Sequence, residues 1–251
     1  MTARVALVSG AGRGIGRAIA LALTAQGHKV AVADIREPEA AETVAEIEKI
    51  GGTGLVVPVD ITDTDAVAQA VLQTQDELGP IEILVNNAGW DELVPFVDTD
   101  EAFWDKILDI NFKGMLRLTH AVLPGMLEAE WGRIVNTGSD AGRVGSSLES
   151  VYAGAKGAVI AFTKTIAREA ARKGITANTV CPGPTDTPLL KGIVDSADDG
   201  SKVINAMTRA VPMKRLAQPH EIAAAVAFFA SEEAGFITGQ TLSVSGGLTM
   251  A

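Results

Sequence analysis

Val5-Ala6-Leu7-Val8-Ser9-Gly10-Ala11-Gly12-Arg13-Gly14-Ile15-Gly16-Arg17-Ala18-Ile19-Ala20 is the stretch from which the rest of the chain reads. An apolar, strand-like run enters a glycine-rich turn and leaves as a helical pattern. Gly10, Gly14 and Gly16 permit a tight turn and let backbone approach a pyrophosphate. The helix N-terminus behind them offers free N–H groups and a positive dipole end. A glycine cluster alone is weak evidence; its position between the first strand and the first helix gives it weight. Eighteen residues after Gly16, Asp34 closes the second strand-like run. A carboxylate there accepts from both hydroxyls of an adenosine ribose and repels a 2′-phosphate. At about 4 Å and an effective dielectric of about 20, that repulsion is about 4 kcal/mol per unit charge. NAD is therefore expected over NADP, with Arg13 and Arg36 as the residues able to pair with a 2′-phosphate.

Outward from this unit, short β-branched runs alternate with helical stretches. The runs are Val5–Ser9, Val30–Asp34, Leu55–Val59, Ile83–Asn86, Arg133–Thr137, Thr176–Cys181 and Thr241–Val244. They are apolar on both faces, as in a parallel sheet covered on both sides. Helices are predicted near 14–26, 38–50, 63–78, 101–129, 152–173 and 219–231. Asp63 and Pro219 suit helix starts, and Gly79 and Gly174 suit helix ends. The alternation predicts a single-domain α/β Rossmann fold, doubly wound, with about seven parallel strands and helices on both faces. One region breaks the rhythm. Between Pro182 and Met213, turn residues surround weak helical pieces after a strand end, and residues 183–213 read as a substrate lid.

The chain has 251 residues with formal charge −10, 47% hydrophobic and 21% charged residues, which excludes a disordered chain. The acidic balance disfavours nucleic-acid and anionic-membrane partners. The apolar run that includes Ala223–Ala230 is too short to cross a bilayer. Cys181 is the sole cysteine, and His28, His120 and His220 lack ligand spacing, so no metal site is expected. Residues 1–10 lack a cleavable-signal pattern, because Arg4 runs straight into the first strand, so a cytoplasmic protein is expected.

The remaining strand ends extend the cleft. Asp60-Ile61 follows the third strand, where it would meet the adenine. Asn86-Asn87-Ala88-Gly89 follows the fourth, with Asn87 able to bond backbone across strands and Ala88 and Gly89 leaving room for the cofactor. Tyr152 is the sole tyrosine. It stands at the start of a helix with Lys156 four residues on, on the same face, and Ser139 ends the fifth strand thirteen residues earlier. A phenol beside an ammonium and an oxidised nicotinamide has its pKa lowered toward neutrality and serves as a general acid/base.

These residues together with Asn111, Tyr152-Ala153-Gly154-Ala155-Lys156 and Pro182-Gly183 resemble the short-chain dehydrogenase/reductase family over essentially the whole chain. The resemblance implies a catalytic set of Ser139, Tyr152 and Lys156, with Asn111 completing a proton relay through water. It implies that Gly10, Arg13, Gly14, Ile15, Gly16, Asp34, Asp60, Ile61, Asn87, Ala88, Gly89, Tyr152, Lys156, Pro182, Gly183 and Thr187 surround NAD. Ser9 stands where many relatives carry Thr. Asn87–Asp91, Ser139–Ser147, Cys181–Thr187 and the tail from Gly235 are similar to 2-hydroxycyclohexane-1-carboxyl-CoA dehydrogenases, with 3-oxoacyl-thioester reductases as wider neighbours.

A hydroxyacyl-CoA substrate is thereby implied. Lys191, Lys202, Arg209, Lys214 and Arg215 are candidates for its phosphates, and Trp90, Arg143 and Glu149 for the acyl pocket. The alternatives are a secondary-alcohol dehydrogenase or carbonyl reductase acting on ketones without a thioester, and a non-catalytic dinucleotide sensor. The helices at 101–129 and 152–173 are apolar on more than one face, and the family implies a homotetramer built on them.

Overall fold

The seven strand-like runs form one parallel sheet in the order β3-β2-β1-β4-β5-β6-β7. A computed structural model describes residues 2–195 and 199–250 of the chain. The strands are β1 Val5–Ser9, β2 Lys29–Asp34, β3 Gly54–Pro58, β4 Ile81–Asn86, β5 Gly132–Thr137, β6 Ile175–Pro182 and β7 Thr241–Val244. Each lies within two residues of its predicted bounds.

Period-two alternation sends successive strand side chains into two separate cores. Ala6, Val8, Val30, Val32, Ile83 and Val85 face one. Leu7, Ala31, Ala33, Leu84 and Ile134 face the other. Helices α1 Gly14–Ala25, α2 Glu37–Lys49 and α10 Pro219–Ala230 cover the first through Ile19, Leu23, Ile47, Ile222 and Val226. Helices α3 Thr64–Leu78, α5 Gly114–Ala129 and α7 Ser150–Ala170 cover the second through Val67, Val71, Leu118, Met126 and Ile166.

The expected helix ends are present. Asp63 caps α3 by accepting from the backbone N–H of Asp65 and Ala66, and Gly79 closes it at φ +110°. Pro219 opens α10, and Gly174, at φ +71°, ends the turn that follows α7.

Three predictions need correction. The helix expected over 101–129 is α4 Glu101–Leu108, a π turn over Asp109–Lys113, and then α5. No Gly or Pro marks the break at 109–113. It is held by tertiary bonds of Asn111, which a helical pattern does not reveal. The helix at 152–173 starts earlier, at Ser150, and finishes as a 3₁₀ turn over Ala171–Lys173. Between β5 and α7 lies a short helix, α6 Ala141–Val144, that the pattern did not show.

In the stretch read as a lid, two amphipathic helices, α8 Pro188–Asp195 and α9 Gly200–Ala210, follow β6. Residues 196–198 of that stretch lie outside the described residues.

The crossover from β3 back to β4 occurs beside β1. Adjacent strands there lead to opposite sides of the sheet, and a crevice opens at their carboxyl ends. The expected catalytic and cofactor residues gather on that edge.

Candidate active site

A cleft of about 930 Å³ runs along this edge. It starts at the glycine turn. Gly10 and Gly14 have φ of +64° and +56°, which favours glycine at both. Gly16 is needed for space instead: a Cβ there would fall 2.0 Å from the carbonyl oxygen of Gly10. Arg13 precedes α1 without a side-chain cap, and no acid occupies the first turn. The helix end therefore offers free donors to an anion.

Asp34, 6% exposed, holds the next stretch of the cleft. Its two oxygens accept from the backbone N–H of Gly12 and of Arg36, each at 2.9 Å. The carboxylate is fixed at the mouth of the turn with lone pairs left over. Arg13 and Arg36 both turn to Glu39, at 3.5 and 3.8 Å. One acid thus engages the two cations able to receive a 2′-phosphate.

Asp60 accepts from the backbone and hydroxyl of Thr62, and Ile61 packs on Gly114, where no Cβ would fit. Asn87 ties three strands together: its amide donates to the carbonyls of Ser9 and Gly10, and its oxygen accepts from Thr137. Ala88 presses on Gly10. Gly183 donates to Val244, and the Thr187 hydroxyl accepts from Leu190 N–H. Each expected cofactor residue lines this one cleft. The cleft is long, has bare helix-end donors at one end and a ribose-side carboxylate beside them, and so fits a dinucleotide.

Ser139, Tyr152 and Lys156 meet in the same cleft, beside Pro182 and Gly183. Ser139 is hydrogen-bonded to the Tyr152 phenol. Lys156, 3% exposed, donates to the carbonyl oxygen of Thr137 at 3.0 Å, and its ammonium lies 5.6 Å from the centre of the Tyr152 ring. Burial raises the phenol above its ordinary value, the carboxyls of Asp91 and Glu149 add to this, and the Ser139 hydrogen bond opposes it. Burial lowers Lys156 to about 8, against the pull of Cys181 and Asp91.

The Asn111 side chain makes its hydrogen bonds elsewhere than Lys156. Its amide donates to the carbonyls of Trp90 and Ile107 at 2.7 and 3.0 Å, and its oxygen accepts from Trp90 N–H. The side chain pins the 87–91 strap to the π turn.

Of the pocket candidates, Trp90 and Glu149 line the cleft. Arg143 does not, and donates instead to Ser243. None of Lys191, Lys202, Arg209, Lys214 and Arg215 lines it. Lys202 pairs with Asp199 and Arg215 with Glu221. The substrate end is walled by Leu93, Val144, Leu189, Ile193, Met207 and Leu248.

Sequence reasoning passed over Glu39 and did not assign Asp91 a role. Asp91 is followed directly by Glu92, and nothing in the sequence distinguishes the buried acid from the exposed one. Glu39 carried part of a signal, its i,i+3 spacing to Arg36, whereas its pairing with Arg13 joins separate loops.

A family profile described as enoyl-(acyl carrier protein) reductase matches residues 10–249. The chain is 42% identical over 249 residues to the 3-oxoacyl-[acyl-carrier-protein] reductase of Vibrio harveyi, covering 98% of each chain. It is 39% identical to the acetoacetyl-CoA reductase of Shinella zoogloeoides, covering 97% of this chain and 98% of that one. The crystal structure of a variant actinorhodin polyketide ketoreductase with NADPH superimposes with a TM-score of 0.94 at 33% identity, covering 98% and 97% of the two chains.

Proposed function

Because the chain belongs to the short-chain dehydrogenase/reductase family of nicotinamide-dependent oxidoreductases, we propose that it transfers hydride between NAD and a 3-oxoacyl/3-hydroxyacyl thioester. A cyclic acyl-CoA is the substrate class that its distinctive segments favour. The observation that carries the reading is the meeting of Ser139, Tyr152 and Lys156 in one cleft with the glycine turn and Asp34. The named relatives, a 3-oxoacyl and an acetoacetyl thioester reductase, support the substrate class.

The NAD preference rests on Asp34 and Glu39. Asp34 presents a fixed charge where a 2′-phosphate would sit, and Glu39 draws Arg13 and Arg36 away from that role.

A bound nicotinamide supplies or accepts the hydride, and its oxidised ring carries a positive charge. The protein's own part is positioning and proton transfer. Tyr152 gives its hydroxyl proton to the carbonyl oxygen during reduction and takes it back during oxidation. Ser139 donates to the same oxygen and stabilises negative charge developing there. The Lys156 ammonium favours the phenolate and holds the nicotinamide ribose. Asn111 keeps the Trp90 strap, one wall of the site, in register. Helices α8 and α9 act as the substrate lid, with Leu189, Leu190, Ile193, Met207 and Ala210 turned to the cleft.

One observation favours a second reading, a carbonyl reductase for ketones without CoA: the five basic residues considered for CoA phosphates all stand away from the cleft. Initial rates separate the two. Acetoacetyl-CoA and a cyclic 3-oxoacyl-CoA are compared with thioester-free ketones, using NADH and NADPH in turn. NADH-linked turnover concentrated on the thioesters is expected. Faster turnover of simple ketones overturns the thioester reading, and a preference for NADPH overturns the NAD assignment.

A further inference from the structure

Arg143 stands away from the cleft, yet it ends a chain of hydrogen bonds that begins beside Ser139. Its guanidinium donates to the Ser243 hydroxyl at 2.7 Å. That hydroxyl donates in turn to a carboxyl oxygen of Asp140. Asp140 directly follows Ser139, is 4% exposed and lines the cleft. Its second carboxyl oxygen is buried without a hydrogen-bond partner among the described residues. Ser243 is thus the group that tethers this buried side chain.

The chain of bonds joins three strand ends. Asp140 leaves β5 and opens α6, its carbonyl accepting from the N–H of Arg143 and Val144. Ser243 lies on the edge strand β7, in register with Cys181 of β6. The Asp140 N–H donates to the carbonyl of Pro182, at the end of β6, at 3.3 Å. Side chain and backbone together fasten the turn after β5 to β6 and β7.

The opposite side of the turn has no slack. A Cβ on Gly142 would fall 2.6 Å from the Lys156 carbonyl carbon, so α6 already rests on α7 at the lysine. Ser139 sits between these two supports. Its own bonds are local: Oγ accepts from Ala141 N–H at 3.1 Å and meets the Tyr152 phenol. They move with the turn and do not anchor it.

We propose that Asp140, held by Ser243 and Arg143, is a positioning residue that sets the Ser139 hydroxyl against the reacting carbonyl oxygen. The network has one polarity. A guanidinium only donates, so the Ser243 proton is directed to Asp140. The same guanidinium brings positive charge to a buried acid, which spares the turn an isolated charge. The proposal rests on the role given to Ser139 in hydride transfer and is independent of which carbonyl compound is the substrate.

The test is a double-mutant cycle with Ser139. Steady-state rates are measured at saturating NADH on whichever of acetoacetyl-CoA and the thioester-free ketones the wild type reduces fastest. Failure of the thioester reading changes the substrate used and leaves the test standing. Asp140→Ala is expected to lower kcat at least about tenfold, within the range for a group misplaced by about 1 Å. KM and the NADH dissociation constant stay within about threefold, a split that general loosening of the fold would not give. In a Ser139→Ala background the same change costs less than about threefold, because the residue it acts through is gone. Equal costs in the two backgrounds overturn the proposal, and so does an Asp140→Ala enzyme with wild-type kcat. Ser243→Ala cuts the tether from the edge strand and keeps the test available if Asp140→Ala does not fold. It is expected to lower kcat at least about fivefold, again only where Ser139 is present; wild-type kcat in this variant overturns the proposal. Ser139→Ala with wild-type kcat overturns the catalytic set, and the positioning role with it. A loss in Ser139→Ala with none in the other two variants overturns the positioning role alone.

Discussion

Tyr152 is the proposed acid/base, and its surroundings oppose its ionisation. Burial and two nearby carboxyls hold the phenol in its neutral form. The Ser139 hydrogen bond opposes them, and positive charge from Lys156 and from an oxidised nicotinamide, once bound, would favour the phenolate further. In the proposed mechanism Tyr152 would act as a base with the oxidised cofactor bound, so that proton transfer would depend on cofactor binding. Tyr152→Phe removes the transferable proton and leaves the ring. Turnover should fall at least about 100-fold, the scale of a lost acid/base, while NADH titration by fluorescence gives a near-normal dissociation constant. Turnover within a few-fold of the wild type would refute the role of Tyr152. Its identity as the candidate acid/base was legible in the sequence through the combination of Ser139, Tyr152 and Lys156 with the glycine turn and Asn111, which resembles one family; the spacing alone is common by chance. The part played by the Asn111 side chain was not legible. Its partners on Trp90 are twenty-one residues away, and no local pattern encodes such a bond.

At the scale of elements, the glycine turn and the π turn are opposite cases. In the turn, each glycine answers a constraint within the same βα unit or its neighbouring strand. Gly10 and Gly14 supply positive φ, and Gly16 lets α1 approach the backbone of Gly10. Gly16→Ala places a methyl group inside both that carbonyl and the Asn87 amide. The turn must open, at the overpacking cost of about 1–3 kcal/mol, or about 2–10 °C in Tm for a chain of this size. NADH affinity is expected to drop at least tenfold as the helix-end donors move. A variant with wild-type melting temperature and affinity would show that the close approach is dispensable. The π turn at 109–113, by contrast, leaves no trace in apolar spacing. It exists because Asn111, 2% exposed, satisfies three backbone groups from within it. Such insertions are frequent at functional sites.

At the scale of the molecule, the sheet order brings the ends of β1, β2, β4, β5 and β6 to one crevice and leaves the outer faces of α5 and α7 uncovered. On α7 that face is built of Gly154, Ala158, Ala161 and Thr165, small residues that permit close helix–helix contact. Leu116, Leu123 and Leu127 of α5 are only partly buried. We propose association through these helices into a homotetramer. Light scattering at micromolar concentration is expected to give the mass of four 26.0 kDa chains; a monomeric mass would refute it. No helix among the described residues is long and apolar enough to cross a membrane.

The sequence by itself determined the parallel α/β architecture and the glycine turn, and its resemblance to a family singled out Asp34 and the Ser139/Tyr152/Lys156 set as candidates. The architecture follows from apolar periodicity repeated along the chain and the glycine turn from its place between one strand and one helix, and both patterns are written locally. The tertiary structure alone decided which charges answer which. It put Glu39 against Arg13 from another loop and left Arg143 and the five basic residues outside the lining of the cleft. Pairing of charges is a matter of distance and burial, and both arise only when separate strand ends converge on one edge of the sheet.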